Sequence, residues 1–433
     1  MVATSVISRG SETLDVFTRR SQPKIEIDLV GQKPGLVNSY TTGDHIEGTV
    51  SVTVEHETRF DEIEIALQGV SRTTVERAAC PGRTGSQHMF LKLKQPIEEN
   101  DYPAPRVLEA GRKYSFPFEF VIPDQLLPQV CTHKRKNNAI HRSHTMIPPT
   151  LGDPMLAGNG KALLDDMAPD MSLISYIIRA SVLRRSSSDE RQVKAMANFA
   201  KKVRIIPIVE EEPPVDISDH PCEARDTVST VATVSLRFDP AGDEQPPKLG
   251  SMISKLKAST FYSASPWEDY PFQSGTTPFS QVGQGLFTES VPLSTMCVGS
   301  VQWQKHSTMT SCERRDSTES TCSEASTGPS SEFIGGTYYT ASIVIPVNLP
   351  HSKTFVPTFH SCLMSRTYSL DLALSYHTPG TNVLTPTISL RVPIQVTTGL
   401  QYADSVKSEL GVVVTQAELD EFFSPEIYRP SRE

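Results

Sequence analysis

The chain has 433 residues, which is enough for two or three domains with cores of their own. Its 33 prolines outnumber its 24 glycines, a composition that disfavours long helices and favours short strands joined by turns. The formal net charge is −9 with a pI of about 5.7, so we expect no broad surface for nucleic acid or anionic membranes and no nucleic-acid partner.

The N-terminal residues 1–21 contain no continuous apolar stretch, so we expect a disordered segment there and no secretory signal. Further along, the longest apolar runs, such as residues 205–209, are too short to cross a bilayer. The 7 cysteines are scattered without a CxxC pair, which is typical of reduced thiols in the cytosol. These observations predict a cytoplasmic protein that must be recruited to any membrane at which it acts.

Apolar and polar residues alternate with period two in many stretches, which predicts strands with one buried face. In YTTGDHIEGTVSVTV at 40–54, Ile46, Val50 and Val52 share the apolar face. The predicted strands are, in chain order, 24–30, 46–54, 60–69, 114–123, 174–185, 203–209, 230–238, 338–347, 368–376 and 388–396.

Two of these stretches carry more specific expectations. In FDEIEIALQG at 60–69, the alternation places Gln68 on the solvent-facing side of the strand. In YSFPFEFVIP at 114–123, Pro117 lacks a backbone N–H, so we expect that strand at the edge of a sheet or in an irregular position.

Strands with one apolar face predict antiparallel sheets that close over each other as sandwiches. An acidic, proline-bearing stretch divides the strands into two sets and reads as a linker. The predicted fold class is all-β, with two tandem immunoglobulin-like β-sandwich domains, disordered loops and little helix. The predicted segments are a first sandwich at 22–209, a linker at 210–226, a second sandwich at 227–400 and a tail at 401–433.

Two segments are predicted to be helical, and two are predicted to be loops or disordered. Residues 186–202 place apolar side chains at helical spacing. Residues 415–423 are predicted to form a second short helix that either folds back or docks into a partner groove. Residues 131–170 mix basic residues, prolines and glycines and are predicted to be loop-like. Residues 305–332 are almost free of apolar side chains and are predicted to be a disordered insert.

No catalytic motif is present: the chain lacks a G-x-S-x-G elbow, an HExxH, a Walker loop and a G-x-G-x-x-G. His360, Ser361 and Cys362 are adjacent, but neighbours on a strand point to opposite faces and are poorly placed to act together. We therefore predict that these residues lie at the start of a strand in the second sandwich. We also predict no catalytic residues, no cofactor and no enzymatic activity.

The stretch CTHKRKNNAIHRSH holds possible zinc ligands at Cys131, His133, His141 and His144. Their spacing matches no standard zinc finger, so the sequence predicts no metal site.

The same stretch carries four cations that form a local basic loop on an acidic protein. Such a cluster is suited to binding acidic or phosphorylated tails through charge-assisted hydrogen bonds, and the alternative is a solvated loop without a partner. The candidate contact residues are Lys134, Arg135, Lys136 and Arg142.

Two arginine–serine stretches are candidate phosphorylation sites. RRSSSDE and RRDSTES each place two arginines before serines, and the serines two positions after the pairs are Ser187 and Ser317. A phosphate on Ser187 would lie at the N-terminus of the predicted helix, where free backbone N–H groups favour negative charge.

Several stretches together resemble an arrestin-like protein of the alpha-arrestin, or arrestin-related trafficking adaptor, branch, over roughly residues 22–400. The stretches that carry the resemblance are YTTGDHIEGTVSVTV, FDEIEIALQG, YSFPFEFVIPDQLLPQVC, IPPTLGD and KTFVPTFHSCLMSRTYSLDLALSY. The resemblance implies a non-enzymatic cytosolic adaptor, recruited to the plasma membrane or endosomes, that binds the cytoplasmic tails of membrane transporters or receptors.

Many alpha-arrestins promote ubiquitin-linked endocytosis by recruiting a HECT-type ubiquitin ligase through PPxY motifs. This chain has no PPxY motif, so the resemblance implies at most indirect recruitment. Two alternatives stay open: a retromer-subunit-like endosomal sorting scaffold and, more remotely, a β-sandwich hydrolase, which would need paired carboxylates facing a groove.

Overall fold

The computed structural model describes residues 22–32, 37–76, 82–153, 164–185, 193–209, 230–240, 242, 244–271, 283–307, 336–377 and 386–398. Strands dominate these ranges, and no helix within them has the length and apolar character needed to cross a bilayer. The predicted segments 1–21, 210–226 and 401–433 lie outside the described residues, as does 305–332 beyond its first three positions.

The first sandwich contains two sheets and one short helix. Its strands are β1 (Lys24–Leu29), β2 (Ser39–Tyr40), β3 (His45–Thr53), β4 (Thr58–Arg59), β5 (Glu62–Glu76), β6 (Arg83–Lys94), β7 (Val107–Leu108), β8 (Tyr114–Val121), β9 (Ser172–Arg185) and β10 (Val193–Ile205), and its helix is α1 (Asn138–His144). One sheet has the order β1-β3-β8, the other has the order β2-β10-β9-β5-β6, and β4 pairs with β7. Side chains from both main sheets form one apolar core.

The second sandwich follows the same plan. Its strands are β11 (Thr230–Phe238), β12 (Lys248–Ser263), β13 (Gln284–Cys297), β14 (Gln304–Ser307), β15 (Thr337–Val347), β16 (Phe359–His360), β17 (Met364–His377) and β18 (Thr387–Ile394). One sheet has the order β11-β15-β14, and the other has the order β13-β12-β17-β16, with β18 also pairing with β17. The predicted all-β class with two sandwiches and little helix is thus confirmed, while the residue boundaries given for the domains stay predictions.

The apolar face predicted for 46–54 is the face that packs into the first core. Ile46, Val50 and Val52 are fully buried, because β3 lies between β1 and β8 and faces the other sheet. The prediction from Pro117 is also confirmed: among the described strands, β8 lies at the edge of its sheet and pairs with β3 alone. The missing N–H of Pro117 therefore removes no hydrogen bond between two inner strands.

The helix predicted at 186–202 is wrong for its described part, which is strand β10. This strand pairs antiparallel with β9, and its register shifts between Ala195 and Ala197. The extra residue breaks the alternation. The apolar residues on either side of this shift therefore fall at helix-like spacing although they belong to a strand. Residues 186–192 lie outside the described residues, and so does the start of the predicted helix.

The solvent-facing position predicted for Gln68 is also wrong. Strand β5 lies inside the five-stranded sheet, and both of its faces are covered from Ile65 to Ser71. Gln68 is therefore buried together with its apolar neighbours. Alternating apolar and polar residues indicate a solvent-exposed face only if nothing packs against that face of the sheet.

The segment predicted to be loop-like at 131–170 is mostly loop in its described part, with the helix α1 as the exception, and it is packed against the first sandwich. The side chain of Asn137 accepts a hydrogen bond from the N–H of Ile140 at 3.0 Å and so caps α1. Ile147 and Leu151 then pack into the first core. These few apolar anchors are enough to order a stretch whose average composition is polar.

Candidate functional site at the seam between the sandwiches

The two sandwiches meet at a buried seam. We define the seam by Thr73 and residues 131–145 and 164–168 of the first sandwich and by residues 262–270 and 353–366 of the second. One hydrogen bond across the seam joins β5 to the end of β12: the hydroxyl of Thr73 donates to the carbonyl oxygen of Ser263 at 2.6 Å. Both residues are completely buried, so the contact is sealed from water.

A turn of the first sandwich inserts Met167 into the core of the second. Met167 has a backbone φ of 60°, which is unfavourable for a bulky side chain. The carboxylate of Asp165 accepts from the N–H of Met167 at 2.8 Å, and that of Asp166 accepts from the N–H of Ala168 at 3.1 Å. These hydrogen bonds and the burial of Met167 in a cluster with Leu256 compensate for the backbone strain.

Beside this turn lies Arg366 on β17, whose side chain is completely buried. One terminal guanidinium nitrogen donates to the carbonyl oxygens of Asp166 and Met167, at 3.0 and 3.1 Å. Its Nε and other terminal nitrogen have no hydrogen-bond partner among the described residues. Burying a guanidinium costs free energy unless its N–H groups are hydrogen-bonded. Arg366 belongs to the second sandwich and the inserted turn to the first, so these hydrogen bonds exist only while the two sandwiches are in contact.

Lys353 adds an ion pair across the seam. Its ammonium contacts Asp165 of the first sandwich and Glu289 of its own sandwich, the latter at 2.8 Å. Burial alone would raise the pKa of Asp165. The hydrogen bonds from Lys353 and from the N–H of Met167, with the charges of Lys353 and Arg366, outweigh this effect and hold the pKa below its usual value. Hydrogen bonds to these carboxylates correspondingly raise the pKa of Lys353.

The predicted basic loop lies along the outer side of the seam. Lys134 pairs with Glu268 at 3.3 Å, and Lys136 pairs with Asp269 at 2.7 Å. The hydrogen bond between Lys136 and Asp269 raises the pKa of the lysine and lowers that of the carboxyl. The backbone N–H of Lys136 also donates to the carbonyl oxygen of Glu268 at 2.8 Å. Two of the four predicted cations therefore already contact carboxylates of the second sandwich.

The other predicted site residues have different surroundings. The guanidinium of Arg135 donates to the carbonyl oxygen of Cys131 at 2.9 Å, and Arg142 lies on α1. The candidate phosphorylation sites Ser187 and Ser317 lie outside the described residues. The basic loop and these serines therefore remain predictions as functional sites.

Inside the seam, the structure brings together two cysteines and two histidines: Cys131, His133, His144 and Cys362. One possible ligand atom from each lies within 4.8 Å of the other three. The Sγ of Cys131 is 3.3 Å from the Nε2 of His133 and 3.6 Å from the Nδ1 of His144. We call these four residues the Cys/His group.

Burial shifts the pKa of two members of the Cys/His group, His144 and Cys362. Desolvation lowers the pKa of His144 to about 4, and the nearby His133 adds to the effect. Desolvation, with Cys131 close by, raises the pKa of Cys362 to about 12. Without a bound cation, His144 is therefore a neutral imidazole and Cys362 a neutral thiol at neutral pH.

The sequence identified three members of the Cys/His group within one stretch but not the fourth. Cys362 enters from the second sandwich, at the turn between β16 and β17, and His141 does not belong to the group. Ligands that come from two domains have no fixed spacing in the sequence, so a zinc-finger pattern cannot include Cys362.

The adjacent His360 and Ser361 do not form a catalytic pair with Cys362. The hydroxyl of Ser361 donates to the carbonyl oxygen of Met364 at 2.9 Å, and the ring of His360 lies edge-on to Tyr270. His360 belongs to β16, which confirms the strand entry predicted there. The described seam is therefore a contact and possible ligand site rather than an arrangement of nucleophile and base.

Comparison with known proteins gives weak similarities. No family model matches the chain. The chain is similar to Bypass of stop codon protein 5 from Saccharomyces cerevisiae (strain ATCC 204508 / S288c), with 23% identity over 288 residues, 52% of this chain and 55% of that protein. The chain thus spans about half the length of the curated relative it matches.

A solved structure of Spo0M, a sporulation control protein from Bacillus subtilis, is 12% identical to the chain. The similarity covers 42% of this chain and 49% of that chain, with a TM-score of 0.21. This score is too low to bear on the fold, which rests on the sheets described above.

Proposed function

We propose that the chain is an arrestin-like, non-enzymatic adaptor. In this proposal it binds the cytoplasmic tails of membrane transporters or receptors and promotes their ubiquitin-linked endocytosis or sorting. The observation that carries the proposal is the joining of two antiparallel sandwiches through a buried seam. Such a molecule offers loops and sheet edges for binding while its two halves keep one orientation.

The stretches that resemble alpha-arrestins support the proposal by their positions. FDEIEIALQG begins β5, which reaches the seam through Thr73. KTFVPTFHSCLMSRTYSLDLALSY runs from Lys353 through β16 and β17 and includes Arg366. The second stretch therefore includes two residues that join the sandwiches, Lys353 and Arg366, and both stretches include core strands.

The basic loop is the proposed contact for acidic or phosphorylated tails. Lys134 and Lys136 have highly exposed side chains, and their partners Glu268 and Asp269 are exposed as well. Exposed ion pairs contribute little free energy and are screened by salt. A tail with several negative charges can therefore replace the two carboxylates without unfolding the seam.

This contact is tested by measuring the affinity of the purified chain for a multiply phosphorylated acidic peptide. Changing Lys134, Arg135, Lys136 and Arg142 together to glutamine should weaken binding by roughly tenfold or more at low salt, and the difference should shrink as salt rises. Replacing Glu268 and Asp269 by Gln and Asn should strengthen binding, because it removes the competing carboxylates. Equal affinities for wild type and both variants would rule out the basic loop as the contact.

A matched control separates local contact from overall charge. Four other cations of the first sandwich also pair with carboxylates but lie outside the basic loop: Lys24, Lys92, Lys94 and Arg112. Changing these four to glutamine removes the same amount of positive charge. We expect the affinity for the peptide to change by less than about threefold, since these four cations are not part of the proposed contact and salt screens exposed charges.

The adaptor role itself is tested by proximity labelling in living cells. Transporters or receptors together with ubiquitin ligase components should be labelled, and loss of the chain should slow ligand-induced removal of such cargo from the cell surface. HECT-type ligase components would have to be reached through a partner, because the sequence has no PPxY motif. Stable, stoichiometric co-purification with retromer subunits would instead support the sorting-scaffold alternative and overturn the adaptor proposal.

The hydrolase alternative receives no support from the strand carboxylates. Glu64 is held by Lys92 at 2.8 Å and also contacts Lys94. Burial alone would raise the pKa of Glu64, but the hydrogen bonds from the two lysines outweigh it and lower the pKa. Glu64 is therefore ionised and paired, which does not suit a general acid.

A further inference from the structure

The Cys/His group has the donor atoms and the spacing of a tetrahedral metal site. Zinc bonds of about 2.3 Å to sulfur and about 2.0–2.1 Å to nitrogen place neighbouring ligand atoms roughly 3.3–3.8 Å apart. The two contacts of the Cys131 sulfur, at 3.3 Å to His133 and 3.6 Å to His144, fall in this range. All four ligand atoms lie within 4.8 Å of one another, so a single ion can reach each of them after small side-chain rotations.

The surroundings of the Cys/His group orient its donors. The Nδ1 of His133 lies 2.9 Å from the carbonyl oxygen of Lys134, which fixes the proton on Nδ1 and leaves Nε2 as the free electron-pair donor toward Cys131. His144 is the last residue of the capped helix α1. The carbonyl oxygen of Cys362 accepts from the N–H of Trp267 at 2.9 Å, which fixes the turn that carries it.

Charge balance also favours a divalent cation here. Cys131, His144 and Cys362 are almost completely buried, and His133 is partly buried. Two thiolates and one Zn²⁺ are together neutral, and neutral imidazoles complete the coordination without adding charge. A neutral cluster is the form of these groups that is least costly to bury. Two sulfur and two nitrogen donors, with no ligand position left over, are typical of structural rather than catalytic zinc.

We propose that Cys131, His133, His144 and Cys362 bind one structural zinc ion that joins the two sandwiches. Three ligands come from the first sandwich and one from the second, so the ion cross-links the seam. This inference goes beyond the proposed adaptor function and does not depend on it. It assigns to the seam a metal-dependent stability that the polar contacts alone do not have.

The first test is the metal content of the purified full-length chain. After purification in reducing buffer without chelators, elemental analysis should find about one zinc per chain, as expected for a closed four-ligand site. Replacing the zinc with Co²⁺ should produce the visible absorption of a tetrahedral cobalt–thiolate site. A chain that contains no zinc and gives no such cobalt spectrum after incubation with either metal would overturn the proposal.

Ligand variants and matched controls locate the ion. Cys362→Ser and His144→Ala should each lower zinc affinity by more than about 100-fold, since loss of a ligand costs more than loss of its supporting contacts. Cys297→Ser changes an exposed free cysteine, and His141→Ala changes a histidine on the same helix that is outside the group. Both controls should keep about one zinc per chain. Zinc loss in the controls but not in the ligand variants would place the metal elsewhere and refute the assignment.

A third measurement separates zinc from a disulfide between Cys131 and Cys362. Mass spectrometry under non-reducing conditions, after trapping free thiols, should find both cysteines unlinked in the zinc-containing protein. Chelation by phenanthroline should increase hydrogen–deuterium exchange in residues 131–145 and 262–270 by at least several-fold and leave the centre of β3 unchanged. A disulfide in nearly all molecules, or a hydrogen–deuterium exchange rate that does not change on chelation, would contradict the metal cross-link.

Discussion

Thr73 of the first sandwich and Ser263 of the second are joined by a hydrogen bond of 2.6 Å, and water reaches neither residue. The bond connects β5, an inner strand of the first sandwich, with the end of β12, an inner strand of the second. A shift of either sandwich would leave a buried hydroxyl and a buried carbonyl without partners. The seam therefore resists sliding as well as separation.

Replacing Thr73 with valine keeps the shape of the side chain but removes the donor. We expect the free energy of unfolding to fall by about 1–3 kcal/mol, because the carbonyl of Ser263 loses its partner in a dry environment. Urea denaturation measures the change. Thr74→Val, at the partly exposed neighbouring position, should cost less than about 0.5 kcal/mol, and an equal loss in both variants would contradict a specific role for the seam bond.

Truncating Met167 to alanine should weaken the attachment of the two sandwiches. Met167 is 1% exposed and fills a cluster of the second sandwich, so its loss leaves a cavity that costs about 2–5 kcal/mol. Differential scanning calorimetry should show the single transition broadening or splitting. Met89→Ala, at a methionine that is 47% exposed, serves as the control and should leave the thermogram unchanged. A wild-type thermogram for Met167→Ala would mean that the inserted turn does not couple the sandwiches.

The ion pair between Lys202 and Asp153 lies in the first sandwich and is almost completely buried. Asp153 also accepts a hydrogen bond from Ser175. Lys202→Met should destabilise the protein by about 3–5 kcal/mol, because it leaves the carboxylate buried without its cation.

Two further variants test this interpretation of the buried ion pair. Adding Asp153→Leu to the Lys202 variant should recover much of the loss, since a pair of apolar side chains leaves no charge buried. Lys194→Met, at an exposed position of β10, should stay within about 0.5 kcal/mol of wild type. Chemical denaturation of the four proteins measures both effects. If the double variant is no more stable than the single one, packing rather than charge is responsible.

The pair of Asp165 and Lys353 predicts a pH dependence of the seam. The folded pKa of Asp165 lies below its ordinary value of 3.8, so its contribution is present above pH 3.8 and is lost as the pH falls through the folded pKa. The folded pKa of Lys353 lies above 10.5, so its contribution is present below pH 10.5 and is lost as the pH rises through the folded pKa.

The variant Asp165→Asn isolates the acid limb of this dependence. It should be less stable than wild type at pH 7, and the difference between the two proteins should shrink on acidification below pH 3.8. Urea denaturation at a series of pH values measures the difference. A gap between the two proteins that is constant from neutral to acid pH would show that the charge of Asp165 does not contribute.

Val52→Asp tests the face assigned to β3. Val52 is completely buried, and an unpaired carboxylate there should cost more than about 4 kcal/mol and unfold the first sandwich. Thr53→Asp, one residue along, lies opposite Lys24 in the β1–β3 pair and should be tolerated. Circular dichroism and limited proteolysis compare the two variants. A folded Val52→Asp protein beside an unfolded Thr53→Asp protein would reverse the assigned face.

Much of the fold could be predicted because its strands carry their own pattern. The apolar alternation of β1 and β8 matches their buried faces, since each is covered on one side only, and β3 departs from this pattern only at the buried Ser51. The prediction failed in β10 and in the middle of β5, where both faces are covered or a bulge shifts the register. In such strands the periodicity no longer reports the geometry.

By itself, the sequence determined the local properties of this protein: alternating strands, proline at an edge, a basic loop, and four cysteine and histidine positions within one stretch. Only the tertiary structure decided that Met167 enters the second core, that Arg366 binds the inserted turn, and that Cys362 lies next to Cys131 in the Cys/His group. The physical reason is the separation along the chain of the residues that interact. Alternation and capping act between neighbours along the chain, whereas a seam is made by residues far apart in sequence, whose contacts exist only once both sandwiches have folded and packed together.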